Sequence, residues 1–354
     1  MQPLGGISRY FTNLAIELDR LGHEPRIFAG LYQNIYLSNI QNSINNGFFV
    51  NSYPKKTGWL FNFGNHCFTQ NQIIDFNSDI IHETYFTKYR PWKSKAARVI
   101  TVYDMIHELF PESFKMNDNL SKLKKSALLN ADHIISISQN TKNDLVELFN
   151  IPEDKISVVH LASNISKIHK FKSLKVTPKP FILYVGSRTE YKNFNLLLFA
   201  YSKSKRVQND FNLVAFGGGL FSETEMRTIL DLNLSSENVL QKSGTDHDLY
   251  NFYSSASVFV YPSKYEGFGL PPLEAMTFGC PVISSNTSSM PEVIGDAALY
   301  FSPSQPDELL EALEKVLYSD NIKNQLVYKG GIRIQNFSWS KCAHETLDIY
   351  QKLI

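Results

Sequence analysis

The second half of the chain alternates short apolar runs with longer segments of helical pattern, and this alternation is its strongest constraint on the fold. Each run is four or five residues long. Short apolar runs separated by helices predict parallel strands that are buried on both faces of a sheet. The predicted strands are residues 181–185, 212–216, 238–241, 258–261, 281–284 and 297–301. The sequence therefore predicts an α/β domain of the Rossmann type.

The first half shows a similar but less regular pattern. Helical patterns cover residues 8–21 and 140–149, and strand-like runs cover 26–29, 99–103 and 133–137. A chain of 354 residues is long for one hydrophobic core, so we expect two domains.

Composition sets the predicted domain boundaries. The segment 163–179 is rich in Lys and Ser and has little apolar periodicity, which is typical of a linker. We predict an N-terminal domain over residues 1–165, a linker over 166–179 and a C-terminal domain over 180–337. A last helix is predicted within 338–354.

The start of the chain departs from the Rossmann pattern, in which a strand comes first, then a glycine-rich turn and a helix. Here Gly5-Gly6 comes almost at once, and residues 1–4 are too few to supply a central strand. A missing central strand would leave exposed strand edges, which proteins avoid. We therefore expect the natural protein to begin upstream of Met1. The alternative is an unusual domain that lacks its first strand.

Charge and cysteine content limit the classes of function. The 35 Lys and Arg residues nearly balance 34 Asp and Glu residues, which does not indicate a nucleic-acid-binding protein. Cys67, Cys280 and Cys342 have no paired spacing, so the sequence predicts neither disulfides nor a zinc site. We expect reduced thiols in a cytoplasmic protein. No apolar run approaches the roughly 20 residues of a membrane span, so any membrane contact is expected to be peripheral.

Two basic clusters lie in the first half of the chain. The first contains Lys88, Arg90, Lys93, Lys95 and Arg98, and the second contains Lys122, Lys124 and Lys125. Clusters of this kind suit the anionic head groups of a membrane surface. A solvated basic face explains them equally well, and both interpretations stay open.

The string EGFGLPPLE, residues 266–274, carries the strongest signal for a ligand site. We predict Glu266 in a loop beyond a strand's carboxyl end and Glu274 in the first turn of the next helix. Open α/β sheets bind ligands at that edge. Free N–H groups near Gly269 and Leu270 would favour an anion, and acidic side chains suit hydroxyls, so a sugar nucleotide fits. The alternative is helix-dipole compensation beside an ordinary turn.

Arg188 and Lys192 follow the predicted strand 181–185. Sugar transfer from a nucleotide requires that the leaving diphosphate be stabilised, and Arg and Lys do this where no metal takes part. The alternative is a pair of solvated cations at the start of a helix. Cations there oppose the helix dipole, which favours the functional interpretation.

These motifs resemble the E-x7-E signature of retaining glycosyltransferases of family four, and the resemblance covers nearly the whole chain. It implies the GT-B fold, with two Rossmann-like domains facing across a cleft and the helix in 338–354 packing back onto the first. It also implies that Glu274 binds the ribose and Glu266 holds the donor sugar, with a nucleophilic role for Glu266 left open. Arg188 and Lys192 match the residues that bind the diphosphate.

Weaker motifs extend the resemblance. Gly5-Gly6 is similar to a turn whose backbone approaches the donor phosphate, and residues 241–245 match the loop at the nucleobase. Asp104 ends a strand at the same cleft and is the acceptor-side candidate. Many relatives have His-Asp where this chain has Tyr103-Asp104. Contact of Tyr103 or His107 with the sugar is therefore left open.

The predicted site contains four catalytic residues and a larger donor-binding set, and no metal. The catalytic residues are Glu266, Arg188, Lys192 and Asp104. The donor-binding residues are Gly6, Arg188, Lys192, Gln241, Ser243, Glu266, Phe268, Gly269, Leu270 and Glu274. Asp246-His247-Asp248 is similar to the metal motif of a different glycosyltransferase fold, but it precedes a helical pattern and is better explained as a helix cap.

The resemblance implies a retaining, metal-independent transfer of a hexose from a nucleoside diphosphate sugar to a glycan or lipid-linked acceptor. Residues 103–112 are similar to bacterial O-antigen mannosyltransferases, which favours a GDP-sugar over a UDP-sugar as donor. We expect no cofactor besides this substrate, and a cytoplasmic location at the inner face of the membrane. One alternative is a non-catalytic sugar-nucleotide-binding protein. Another is a GT-B epimerase, but the E-x7-E spacing argues against an epimerase.

Overall fold

The computed structural model describes residues 5–40, 44–51, 57–86, 94–114, 119–163, 177 and 179–354. The predictions for residues 1–4 lie outside these ranges, as do those for Lys88, Arg90, Lys93 and nearly all of the predicted linker. The described residues form two α/β domains with parallel sheets.

Helices and strands alternate along most of the described chain. The helices are α1 (Gly6–Arg20), α2 (Gly58–Phe76), α3 (Ile106–Leu109), α4 (Leu120–Asn130), α5 (Gln139–Phe149), α6 (Phe194–Ser202), α7 (Lys205–Asp210), α8 (Glu223–Asp231), α9 (Asp246–Ser255), α10 (Leu270–Thr277), α11 (Met290–Ile294), α12 (Pro306–Leu317), α13 (Asp320–Arg333) and α14 (Trp339–Gln351). The strands are β1 (Leu31–Tyr32), β2 (Phe48–Phe49), β3 (Ile80–Glu83), β4 (Ala97–Val102), β5 (His133–Ser136), β6 (Ile156–Val158), β7 (Phe181–Val185), β8 (Asn212–Phe216), β9 (Val239–Lys242), β10 (Val258–Tyr261), β11 (Val282–Ser285) and β12 (Ala298–Phe301). Among the described helices, none is both long and apolar enough to cross a membrane.

The sheet of the C-terminal domain has the strand order β12-β11-β10-β7-β8-β9, and all its strands are parallel. The chain runs outward from β7 in one direction and then returns to add β10 on the other side. This reversal opens a crevice at the carboxyl ends of β7 and β10, where such sheets bind ligands. The segments 186–193 and 262–269, which follow these two strands, therefore meet there.

Both faces of this sheet are covered. Along β7, Phe181 and Leu183 join one hydrophobic cluster, and Ile182 and Tyr184 join another on the opposite face. Burial on both faces explains why the strands are nearly continuous apolar runs. The six strands predicted in this half are confirmed, to within one residue at each end.

The N-terminal domain has a parallel sheet in the order β3-β4-β5-β6 and a separate parallel pair, β1 and β2. The predicted strand at 26–29 is wrong. Within residues 26–29, only Ile27 pairs with another segment, through an isolated bridge to Asn45. Continuous pairing begins later in the chain, where β1 pairs with β2. A cavity of about 1120 Å³ lies between this segment and β3. Its lining includes no residue of the segments that follow β7 and β10.

The last helix, α14, packs against the N-terminal domain. Cys342 and Ile349 of α14 share a hydrophobic cluster with Tyr10 of α1. The hydroxyl of Tyr350 lies 2.5 Å from Nδ1 of His82 in β3. These contacts tie the end of the chain to both a helix and a strand of the first domain.

Lys124 does not lie on a basic surface, although it belongs to the second predicted basic cluster. Its side chain is 2% exposed, and its Nζ donates to Glu108 Oε2 at 2.7 Å. The same ammonium donates to the carbonyl oxygen of Asp104 at 3.0 Å. Lys124 therefore cannot contact a lipid head group, because its ammonium is buried and already paired with Glu108.

Candidate active site

Two predicted catalytic residues pair with each other where the segments after β7 and β10 meet. Lys192 Nζ lies 2.7 Å from Oε1 of Glu266 and 2.9 Å from its Oε2. Burial by itself lowers the pKa of Lys192, but the Glu266 carboxylate raises it, and the net pKa is above its ordinary value. The ammonium therefore stays protonated beside the carboxylate.

Serine hydroxyls fix the position of Glu266 and of the segment around it. Ser263 Oγ donates to Glu266 Oε1 at 2.6 Å, and the Glu266 N–H donates to Ser288 Oγ at 2.9 Å. Ser289 Oγ donates to the carbonyl oxygens of Glu266 and Phe268, both at 2.8 Å. Sequence reasoning missed these residues. The run Thr287-Ser288-Ser289 follows β11, the strand beside β10, so the same rule about strand ends could have found it.

Arg188 also follows β7, but its guanidinium turns to the glycine-rich segment after β8. Its Nε donates to Glu225 at 2.5 Å, and Nη1 donates to the carbonyl of Gly217 at 2.9 Å. Its Nη2 donates to the carbonyls of Gly219 and Leu220, each at 3.0 Å. A diphosphate bound by Arg188 would therefore have to replace some of these partners.

Helix α10 starts earlier than the sequence predicted. Gly269 has a φ of 104°, in the left-handed region that favours glycine, and the helix begins at Leu270. Two prolines occupy its first turn, so Glu274 is the fifth helical residue and lies in the second turn, which corrects the prediction. The Phe268 ring packs against Phe337 in the core, so this ring is not available to a donor.

Glu274 is buried and has two partners. Its Oε1 accepts from Arg9 Nη1 at 3.2 Å, and its Oε2 accepts from Tyr253 Oη at 3.3 Å. Burial raises the pKa of Glu274; Arg9 and Tyr253 oppose this effect, and the net pKa is above its ordinary value. Sequence reasoning missed Arg9. A cation in the first turn of a helix opposes the helix dipole, and Lys192 was predicted partly on this ground. Arg9 lies in the first turn of α1, so it could have been identified in the same way.

The segment after β10 approaches the N-terminal domain very closely at Gly267. A Cβ added to Gly267 would lie 1.7 Å from the carbonyl oxygen of Tyr103 and 3.0 Å from Asp104 Cβ. No side chain fits in that space. Asp104, the acceptor-side candidate, therefore lies beside the segment that carries Glu266.

Tyr265 links the same two segments through its hydroxyl. Tyr265 Oη accepts from the Met105 N–H at 3.3 Å and donates to Asp144 Oδ2 at 2.6 Å. Asp144 belongs to α5, so one phenol of the C-terminal domain contacts two elements of the N-terminal domain. These contacts, which the sequence did not predict, help to hold the backbone next to Asp104.

Tyr103 and His107 make packing contacts with aromatic rings. The Tyr103 ring lies edge-on to Tyr10 with 6.0 Å between centroids, and its hydroxyl is buried. The His107 ring stacks on Phe114 with 3.7 Å between centroids. Each of these two rings therefore contacts another aromatic ring of the N-terminal domain.

The other predicted donor-binding residues surround the same edge. Gly6 begins α1, where an added Cβ would lie 3.8 Å from Leu270 Cδ1, so the starts of α1 and α10 face each other. Gln241 Nε2 donates to the Lys242 carbonyl at 2.9 Å, and Ser243 is exposed just after β9.

The Asp246-His247-Asp248 motif begins α9. Thr245 Oγ1 accepts from the Asp248 N–H at 3.3 Å, and Asp248 Oδ2 accepts from the Thr245 N–H at 2.8 Å. This reciprocal pair is a capping box, which confirms the capping interpretation. Asp246 lies 3.6 Å from Arg9. The described residues contain no cluster of three or more side chains suited to hold a metal.

Comparisons with known proteins agree with this architecture. The model of Glycosyltransferase Family 4 matches residues 4–166, and that of Glycosyl transferases group 1 matches residues 165–331. O-antigen chain mannosyltransferase B of Escherichia coli is 30% identical over 315 residues, covering 85% of this chain and 78% of that protein.

Solved structures show the same fold. Sucrose-phosphate synthase from Thermosynechococcus elongatus has a TM-score of 0.75 at 18% identity, covering 99% of this chain and 94% of its own. Anabaena HepE, in complex with UDP and glucose, has a TM-score of 0.74 at 16% identity, with 98% and 96% covered. The predicted GT-B fold is thus confirmed. The chain belongs to family four of the glycosyltransferases and is a hexosyltransferase.

Proposed function

We propose that the protein transfers a mannose-type hexose from a GDP-sugar to a lipid-linked or growing polysaccharide, with retention at the anomeric carbon and without a metal. The observation that carries the proposal is the Lys192–Glu266 pair at the point of strand reversal, beside the start of α10. The mannosyltransferase relative supports the sugar. The UDP and glucose bound by HepE make a UDP-sugar the second candidate donor.

The proposed chemistry follows from the charges at the crevice. Lys192, Arg188 and the start of α10 offset the negative charge that develops on the leaving diphosphate, so a metal is not required. Glu266 holds hydroxyls of the donor sugar, and Glu274 accepts hydrogen bonds from the ribose. The bond between the anomeric carbon and the phosphate oxygen breaks as the acceptor oxygen bonds to the same face. The departing phosphate takes the acceptor's proton.

A nucleotide-binding panel tests the donor site. Ligands that bind the native state raise its melting temperature, by about 2–4 °C for each kcal/mol of stabilisation in a domain of this size. We expect GDP to stabilise the wild-type protein more than UDP, ADP or TDP. The shift should disappear in Glu274→Ala and persist in Glu311→Ala, whose exposed carboxylate lies on α12.

Four results would contradict parts of this proposal. The absence of a shift with every nucleotide would remove the donor site. A preferential shift with UDP would replace the GDP-sugar by the second candidate. A screen of the matching donor sugars then yields a product whose anomeric configuration is measured by nuclear magnetic resonance. An inverted configuration would exclude retention. A loss of turnover in EDTA would exclude metal independence.

We also propose a cytoplasmic location with peripheral contact to an anionic membrane, through α2. This helix exposes 68% of Trp59 and 55% of Phe63, with Leu60 beside them. Exposed aromatic side chains of this kind enter the interfacial region of a bilayer. Binding to phosphatidylcholine vesicles that contain phosphatidylglycerol should fall about tenfold in Trp59→Ser/Phe63→Ser, because both changes remove apolar area.

The control for the vesicle experiment is Leu220→Ser, which removes an exposed apolar side chain from the other domain. It should bind vesicles like the wild-type protein. Equal binding by the α2 variant and the wild-type protein would remove α2 as the contact surface.

A further inference from the structure

Arg9 reaches from the first domain to the candidate ribose site of the second. It lies in the first turn of α1, and its Nη1 is 3.2 Å from Glu274 Oε1. Its Nη2 lies 3.4 Å from the hydroxyl of Tyr36 and 3.6 Å from Asp246 Oδ2. The side chain is 16% exposed. Arg9 is therefore an enclosed cation between helices of different domains.

The partners of Glu274 leave part of its carboxylate unused. A carboxylate offers about four lone-pair positions to hydrogen-bond donors. Arg9 takes one on Oε1, and the Tyr253 hydroxyl takes one on Oε2. One position remains on each oxygen, which matches the two adjacent hydroxyls of a ribose. The two protein contacts set the plane and the direction in which those positions point.

We propose that Arg9 is a positioning residue for the donor, which holds the Glu274 carboxylate ionised and oriented for two ribose hydroxyls. The inference rests on the proposed function, because it takes Glu274 as the ribose ligand. It adds that the donor site of the C-terminal domain is complete only while α1 of the N-terminal domain is docked beside α10.

The groups around Glu274 define what Arg9 contributes. Helix α9 brings Tyr250, Tyr253 and Asp246 toward the carboxylate, and α1 brings Arg9. Burial raises the pKa of Glu274, and the charge of Asp246 adds to this effect. Arg9 acts in the opposite direction. Loss of Arg9 would therefore raise the pKa further, and a protonated carboxyl has fewer positions that accept hydrogen bonds.

The position of Arg9 in the first turn of α1 has an electrostatic cost. A cation in the first turn of a helix opposes the helix dipole. Glu274 and Asp246 offset the cost, but any carboxylate near the surface of α1 would do the same. A merely structural pair would lower the stability of the protein when broken. It would not change how nucleotide binding depends on pH.

The test is calorimetric titration of GDP and UDP into the wild-type protein and Arg9→Met between about pH 5 and about pH 8. The ionised carboxylate accepts hydrogen bonds from both ribose hydroxyls and binds more tightly than the protonated carboxyl, so affinity falls as the pH drops through the pKa of Glu274. In Arg9→Met this fall should begin at a higher pH, with a loss of about 10- to 100-fold at the acidic end. Arg9→Lys, which keeps the charge, should recover the wild-type pH profile.

Two further variants separate positioning from stability. Arg20→Met removes a cation from the last turn of the same helix, where Arg20 pairs with Glu17, and should bind like the wild-type protein at every pH. Gln at position 274 keeps one oxygen that accepts hydrogen bonds but does not titrate, so binding is weaker but measurable at high nucleotide concentration. Adding Arg9→Met in this background should leave the pH dependence unchanged. Circular dichroism confirms that each variant is folded before titration.

The outcomes distinguish this inference from the proposed function. If the wild-type protein binds neither nucleotide, both fail. If it binds one and Arg9→Met binds equally well, or more weakly by the same factor at every pH, only the role of Arg9 fails. The same conclusion follows if Arg9→Met changes the pH dependence in the Glu274→Gln background.

Discussion

Replacing Glu266 by Gln is expected to lower kcat/KM for sugar transfer by about 10²- to 10⁴-fold. The carboxylate accepts two hydrogen bonds from Lys192, at 2.7 and 2.9 Å, and one from Ser263 at 2.6 Å. Hydrogen bonds to charged groups contribute about 1.5–3 kcal/mol each, and Gln weakens at least two of them. The amide keeps the shape of the side chain but leaves the Lys192 ammonium without its counter-charge. Hydrogen bonding to the donor sugar is therefore weaker, and the ammonium is less well positioned.

The measurement is the initial rate of product formation at several donor concentrations, with the donor that the nucleotide panel identifies. Glu190→Gln is the matched control, because Glu190 lies in the segment after β7 and its exposed carboxylate only approaches Lys264, at 3.7 Å. It should keep wild-type rates. A Glu266→Gln enzyme with unchanged kcat/KM would remove Glu266 from the site. A sugar ester on Glu266, detected by mass spectrometry, would replace direct same-face transfer by a nucleophilic mechanism.

Replacing Lys124 by Met is expected to lower the free energy of unfolding by about 3–5 kcal/mol. The ammonium lies 2.7 Å from Glu108 Oε2 and 3.0 Å from the Asp104 carbonyl, and both charged side chains are almost fully buried. Met fills a similar volume but leaves the Glu108 carboxylate buried without its cation. Within the described residues, Glu108 Oε1 has no hydrogen-bond partner that would compensate.

Chemical denaturation followed by circular dichroism measures this loss. Lys122→Met, which removes an exposed charge from the same helix, should change the free energy of unfolding by less than about 0.5 kcal/mol. The double variant Lys124→Met/Glu108→Leu should regain much of the stability, because an apolar pair of similar volume needs no charge compensation. A single variant as stable as the wild-type protein, or a double variant less stable than Lys124→Met, would contradict the account.

The strands of the C-terminal domain could be predicted because both faces of that sheet are buried. Every residue of a run such as 258–261 is apolar, so the strand can be recognised without knowing which face of the sheet each side chain points to. The N-terminal domain offered less. Its α2 carries apolar residues around its whole circumference, and three of them, Trp59, Leu60 and Phe63, are exposed, so no periodic face marked it as a helix. Strand β3 is only four residues long, and half of it, His82 and Glu83, is polar, so no apolar run marked it as a strand.

The candidate site was predictable where sequence neighbours and strand ends decide position. Lys192 and Glu266 meet because their strands are adjacent at the reversal of strand order, and the sequence showed that both follow strands. Contacts between domains had no such signal. Arg9 and Glu274 are 265 residues apart, and Tyr265 lies 160 residues from Met105, so only the packing of the domains brings them together.

The side-chain direction of each candidate was equally hidden. Arg188 was predicted from its place after β7, but carbonyl groups after β8 bind its guanidinium. Lys124 looked like a surface charge in a basic run, yet it is buried because Glu108, one element earlier in the chain, turns inward to meet it. Spacing along a chain locates a residue on an element, whereas its partner decides which way it faces.

The absence of a side chain at position 267 determines how near the two halves of the enzyme can come to each other. With the carbonyl oxygen of Tyr103 1.7 Å from where a Cβ would stand, the separation is limited by bare backbone. Any other residue there would act as a spacer of at least one methyl group between the strand ends that carry Glu266 and Asp104. The cleft keeps its observed width at this point only while position 267 is glycine, because a larger residue would have to push the backbone of Tyr103 and Asp104 away from Glu266.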